Sequence, residues 1–172
     1  MTKKKSPNPS IGTPAIQTLI RAGVTFTLHT FAPSPSTLGY GAAAAAALGV
    51  EPDRVFKTLM ISLQGAPSPT AVAIVPVTGH VHLKALAHAL DAKRAELLDP
   101  ADAERLTGYV VGGISPFGQR RPSPTFIDRS SLSWETIYVS AGRRDADVEV
   151  TPGDLIEILQ ATVVDISERG RT

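Results

Sequence analysis

The spacing of apolar and polar positions changes several times along the chain, and each change marks an element. Thr13-Pro14 reads as an N-cap with proline at the first helical position, and Gly23 stops the helix it opens. Val24 to Thr30 then reads as a strand. Phe31 to Gly39 holds two prolines among small polar residues, which predicts a loop. Ala42 to Ala47 predicts a helix, since alanine has the highest helix propensity and Leu48-Gly49 supplies an apolar end and a cap. Val55 to Leu63 and Thr70 to Val77 read as strands of a hairpin joined by a Gly/Pro/Ser connection. His82 to Leu90 has helical spacing, with Leu83, Leu86, Ala87 and Leu90 on one side, and Pro100 to Leu106 is a short helix. Tyr109-Val110-Val111 predicts a strand running into a glycine loop. Thr125 to Asp128, Thr136 to Ser140 and Val148 to Val150 read as strands. Thr151-Pro152 opens a last helix through Gln160, and Thr162 to Asp165 reads as an edge strand. Helices and strands mix without strict alternation, so the fold class is α/β or α+β around a mixed, curved sheet. No internal repeat and no linker divides the chain.

Composition narrows this picture. The 172 residues are 42% hydrophobic and 19% charged with a formal net charge of +1, as expected of one ordinary globular domain. No apolar run approaches the roughly 20 residues that span a membrane. The lysines at the start have no apolar segment behind them, so residues 1–12 are expected to form a disordered basic tail and the protein to reside in the cytoplasm. A monomer is the default expectation. The chain has no cysteine, which excludes structural disulfides, thiolate zinc sites and a cysteine nucleophile together.

Lys57 is the chemically loaded residue. A period of two places it with Val55, Leu59, Ile61 and Leu63 on one strand face, where an ammonium is costly unless it is paired or faces a solvated pocket. A lysine near a strand end can also snorkel to water along its stem, and spacing alone leaves the two readings even.

The second feature is the run Thr107-Gly108-Tyr109-Val110-Val111-Gly112-Gly113-Ile114-Ser115-Pro116-Phe117-Gly118-Gln119. Glycine allows positive φ and close approach of a ligand to the backbone, so this loop either cradles a ligand with its N–H groups or makes a tight turn. Ser115 does not sit in a G-x-S-x-G elbow, and His29, His80, His82 and His88 make no pattern that compels a triad. His80 and His82 share a face but lack a third ligand, so they read as surface residues and no metal is expected.

These motifs together resemble the YbaK family of aminoacyl-tRNA deacylases, stand-alone relatives of the editing domain in bacterial prolyl-tRNA synthetases. The glycine loop carries the resemblance, and Phe26 to Thr30, Leu48-Gly49, Val55 to Leu59, Thr136 to Ser140, Gly142-Arg143-Arg144 and Asp154-Leu155 continue it in order. It covers roughly residues 13–168. It implies a compact, partly barrel-like mixed sheet flanked by helices, and an enzyme that clears Cys-tRNA(Pro) without a cofactor. In the mechanism it implies, the cysteinyl thiol attacks its own ester. Direct water attack on another small aminoacyl ester such as Ala-tRNA(Pro), or a non-catalytic tRNA-binding module, are the alternatives.

By the same resemblance, Lys57, Gly112, Gly113 and Ser115 are the expected catalytic group. Phe31, Tyr40, Ile114, Pro116 and Asp147 are expected to contact the substrate, and Arg120, Arg121, Arg143 and Arg144 the tRNA acceptor end. Prolyl-tRNA synthetase is the implied co-binding partner. The chain departs from the family pattern at Phe31 (usually tyrosine), at Ala42-Ala43 (often an acidic pair) and at Ala141 (usually glycine).

Overall fold

The computed structural model describes residues 12–32 and 39–169. The expected basic tail, apart from Gly12, and most of the Phe31 to Gly39 loop lie outside them. Helix α1 spans Pro14–Ala22; the Thr13 hydroxyl accepts the Ile16 N–H and Gly23 closes the helix in the left-handed conformation. Strand β1 is Thr27–Thr30 and α2 is Tyr40–Leu48, capped by left-handed Gly49. Strands β2 (Phe56–Gln64) and β3 (Thr70–Pro76) form the predicted hairpin. Strand β4 (Gly79–Val81), α3 (Leu83–Ala89), β5 (Arg94–Leu97) and α4 (Pro100–Thr107) follow. The chain ends with β6 (Thr125–Asp128), β7 (Ile137–Arg143), β8 (Ala146–Val150), α5 (Pro152–Leu159), β9 (Thr162–Val164) and β10 (Ser167–Arg169).

The described residues form three sheets, in the orders β5-β2-β3-β6-β9, β1-β8-β7 and β10-β4. The β3-β6 and β6-β9 pairs are parallel and the rest antiparallel, so the mixed sheet is present. The sheets do not close into a barrel. A bridge between Val55 and Tyr138 ties the start of β2 to β7.

Alternation within the strands explains the layers. On β2, Phe56 and Met60 enter the main core with Val72, Ile74 and Ile127, facing Val139, Val148 and Val150 of the smaller sheet and Ile16 and Leu19 of α1. Ile61 and Leu63 point the other way, under Leu86 and Ala87 of α3. The predicted strand at Tyr109 to Val111 does not form. Gly108 caps α4 in the left-handed conformation, Tyr109 turns inward so that its hydroxyl donates to the Phe117 carbonyl at 2.6 Å, and Gly113 N–H closes a turn on Val110. Strands β4, β5 and β10 are absent from the sequence expectation. Among the described residues no helix is long and apolar enough to cross a membrane.

Candidate functional site

Strand β2 gives one edge to two different neighbours, and the site lies between them. At its start Val55 bridges Tyr138; at its end Ile61 to Gln64 pair with β5, and Leu98 N–H donates to the Met60 carbonyl at 2.9 Å. Beyond Leu98 the chain turns away into α4. Backbone groups of alternate strand residues point to opposite edges, and Met60 and Gln64 point theirs toward β5. Thr58 shares that parity, so its N–H and C=O open into the gap. A cavity of about 370 Å³ fills the gap, lined by Lys57, Thr58, Met60, Gly112, Ile114, Ser140 and Asp147 among others. Its walls are mostly apolar, with Phe31, Val55, Phe56, Leu59 and Leu97 contributing.

Lys57 lines this cavity and is half-buried. Burial pulls its ammonium below the usual lysine value, because a low-dielectric wall disfavours the charged form. No salt bridge or hydrogen bond neutralises it among the described residues. Asp147 is 7% exposed on β8 and also lines the cavity. Burial pushes its carboxyl up to about 6, with His29 acting in the opposite sense.

The glycine loop forms the opposite rim. Gly112 has φ +87°, and a Cβ there would lie 2.6 Å from the Tyr40 ring, so both its conformation and its packing require glycine. Among the described residues, the Gly112 and Ile114 N–H groups have no hydrogen-bond partner. Tyr40, the first residue of α2, lies under the Arg144 guanidinium at 5.0 Å. Arg144 also donates from Nε to the Val111 carbonyl at 2.9 Å, so it staples the loop to α2.

The structure therefore gathers Phe31, Tyr40, Lys57, Gly112, Ile114, Arg144 and Asp147 at one cavity. It does not bring the other expected residues to the cavity wall. Ser115 is fully buried, with its hydroxyl accepting the Phe117 N–H at 3.2 Å. Gly113 packs against the backbone of Arg143 and Arg144, where a Cβ would come within 2.9 Å. Pro116 is buried beside Phe117. Arg143 pairs with Asp145 at 2.9 Å. Arg120 and Arg121 line a separate concavity with Arg105 and Leu106 at the far end of α4. His82 caps α3, its Nδ1 accepting the Ala85 N–H, and Nε2 meets Glu168 at 2.9 Å.

Sequence reasoning missed Thr58. Its hydroxyl is buried in the cavity wall without a hydrogen-bond partner, beside its own open peptide edge. Periodicity assigns Thr58 to the core face with Phe56 and Met60. Only the three-dimensional split of the β2 edge reveals a hydroxyl among apolar side chains as a site group.

Residues 35–158 match the family model described as the aminoacyl-tRNA editing domain. A relative from Enterococcus faecalis, provisionally named as the Cys-tRNA(Pro)/Cys-tRNA(Cys) deacylase EbsC, is 34% identical over 73% of this chain and 75% of its own. The Bacillus subtilis protein YwhH is 27% identical over 66% of this chain and 71% of its own. Among solved structures, a provisionally assigned trans-editing enzyme for prolyl tRNA synthetase superposes with a TM-score of 0.80, at 22% identity, over 95% of this chain and 99% of its own. The hypothetical protein APE2540 superposes with a TM-score of 0.79 at 26% identity, over 91% of this chain and 100% of its own.

Proposed function

We propose, from the premise that this chain belongs to the aminoacyl-tRNA editing domain family, that it is a trans-editing deacylase whose substrate is Cys-tRNA(Pro). One observation carries the mechanistic part. Among the described residues, the cavity wall holds an unpaired lysine and an open peptide edge, but no histidine and no cysteine. Its one serine, Ser140, already uses its hydroxyl to accept the Gly142 N–H at 3.1 Å. Such a wall suits stabilising charge and positioning a substrate, with Asp147 as its one carboxylate, and so favours a nucleophile that the substrate brings.

In this reading the terminal aminoacyl-adenosine enters between β2 and the glycine loop. The cysteinyl sulfur attacks its own ester carbon, the bond from that carbon to the ribose oxygen breaks, and the thiol proton passes to that oxygen. The products are tRNA with a free hydroxyl and a cysteine β-thiolactone, which water then opens to cysteine. Lys57, the Thr58 N–H and hydroxyl, and the Gly112 and Ile114 N–H groups face the developing oxyanion, where preorganised donors act most strongly in a dry site. The Asp147 carboxylate takes the substrate ammonium. Holding one reactive conformer supplies the remaining acceleration. The scheme accounts for selectivity because alanyl and prolyl esters lack the thiol, whereas pocket contacts alone discriminate weakly between small side chains.

Arg120 and Arg121, outside the cavity, are suited to acceptor-stem phosphates, with prolyl-tRNA synthetase the co-binding partner that adds tRNA specificity. Purified protein offered Cys-tRNA(Pro), Ala-tRNA(Pro) and Pro-tRNA(Pro) tests the reading. Loss of the cysteinyl ester alone, with Lys57→Ala slower by at least about 100-fold, supports it. Equal loss of the alanyl ester, or full activity in Lys57→Ala, refutes it.

A further inference from the structure

One face of the β1-β8-β7 sheet leads from the cavity to charged groups that the proposed chemistry does not use. Asp147 lies directly opposite His29 on β1 and Ser140 on β7, while Glu149 lies opposite Thr27 and Tyr138. Opposed residues of an antiparallel pair share a face, so His29, Asp147, Ser140, Glu149 and Tyr138 form one polar surface. Leu28, Val139 and Val148 occupy the other face, in the core.

The imidazole is held from the side away from the cavity. His29 Nε2 meets Glu149 Oε1 at 3.0 Å, and the ring lies 5.3 Å from that of Tyr138. Glu149 Oε2 accepts the Thr136 hydroxyl at 2.6 Å, with the Arg54 guanidinium 3.6 Å away. Arg54 is fixed in turn by the Thr136 carbonyl and hydroxyl and by the Tyr138 ring at 5.1 Å. This ladder fixes the ring through one nitrogen and leaves the other without a partner among the described residues.

We propose that His29 is a positioning residue: anchored by Glu149, it acts across the β1-β8 pair on the Asp147 carboxyl and holds it in the ionised form that a substrate ammonium needs. The inference rests on the proposed role of Asp147 and adds the group that controls it. The other titratable or charged groups around Asp147 are few. Glu149 lies two residues along its own strand, Tyr138 lies across on β7, Lys57 projects from β2 into the same cavity, and Arg143, Arg144 and Asp145 occupy the β7-β8 turn. Arg144 is engaged with Tyr40 and Val111, and Arg143 with Asp145. Burial drives the Asp147 carboxyl toward its neutral form, and His29 is the group that opposes this.

The test follows the Asp147 side-chain carboxyl by ¹³C NMR on the free protein from pH 4 to 9, in wild type, His29→Gln and His29→Lys. Glutamine keeps polar contact with Glu149 but carries no charge; lysine carries a charge that does not titrate in this range. The expected Asp147 midpoint rises in His29→Gln by about half a unit or more and falls back to or below wild type in His29→Lys. The deacylation rate of His29→Gln should drop about twofold at pH 6 and match wild type at pH 8, as a half-unit displacement requires. A midpoint identical in all three proteins overturns the proposal. Should His29→Gln fail to fold, the lysine variant decides alone, and a midpoint above wild type overturns it. Midpoints that move while the rate ignores them overturn the substrate role of Asp147 and leave the His29 coupling standing.

Discussion

Replacing Asp147 by asparagine should stabilise the protein at neutral pH, and the gain should vanish in acid. The Asp147 carboxyl is pushed up to about 6 in the fold, against an ordinary aspartate value of 3.8. A carboxyl raised on folding prefers its proton in the native state. Its burial therefore costs nothing below the unfolded value and destabilises the native state fully once pH exceeds the folded one. At 1.36 kcal/mol per pH unit that rise corresponds to about 3 kcal/mol at pH 7.5 and to well under about 1 kcal/mol at pH 4. Because the side chain is 7% exposed, solvent screening trims little from that figure. Urea unfolding of wild type and Asp147→Asn at both pH values measures the effect of the Asp147 charge together with its coupling to His29, since groups remote from Asp147 cancel in the difference. The variant's relative stability should improve by about 2 kcal/mol from pH 4 to pH 7.5. A difference that does not change with pH would show that Asp147 is not desolvated, and the electrostatic account of the cavity would fail. The same variant should lose deacylation.

Lys57→Met removes a half-buried ammonium that no partner neutralises, so its thermal midpoint at pH 7 should rise while activity disappears; a lower midpoint contradicts the reading of Lys57 as a strained cation. Gly112→Ala should cost about 2 kcal/mol and lower the Tm by about 6 °C, since it forces a positive φ and drives a Cβ into Tyr40. In a Tyr40→Ala background the loss should shrink without disappearing, because the φ penalty remains. Asp128 is buried, and its carboxylate accepts the Ile166, Ser167 and Ser130 N–H groups and the Ser130 hydroxyl. Asp128→Ala should therefore destabilise by about 3 kcal/mol or more and raise hydrogen exchange first in β10 and β4.

The elements that were legible in the sequence carry local signals. Thr13-Pro14 and Thr151-Pro152 cap their helices as read, and Gly23 and Gly49 terminate theirs, because capping depends on neighbours in the chain. The hairpin of β2 and β3 was equally plain, since alternation and a Gly/Pro connection sufficed. What escaped depends on distant partners. Strands β4 and β10 are three residues each and exist only because they pair with one another across the fold. Strand β5 borrows its register from the end of β2. Tyr109 to Val111 has strand composition but no strand to pair with; the tyrosine hydroxyl finds the Phe117 carbonyl instead. The site divides in the same way. Lys57 stood out as a charge on an apolar face, and its spacing left open which way it turned until the cavity was located. Gly113 and Ser115 shared a run with Gly112, but a loop shows a ligand only part of its length, and those two face inward. Thr58 carried no local mark, since its role comes from the gap between two sheets.

The account depends most on the claim that the substrate brings its own nucleophile. Single-turnover deacylation of Cys-tRNA(Pro) beside its S-methylated counterpart tests that claim directly. The account predicts that methylation reduces the enzymatic rate to the uncatalysed background while the tRNA still binds. An S-methylated ester cleaved as fast as the native one would contradict it, because water would then be the attacking group and the cavity would have to activate it.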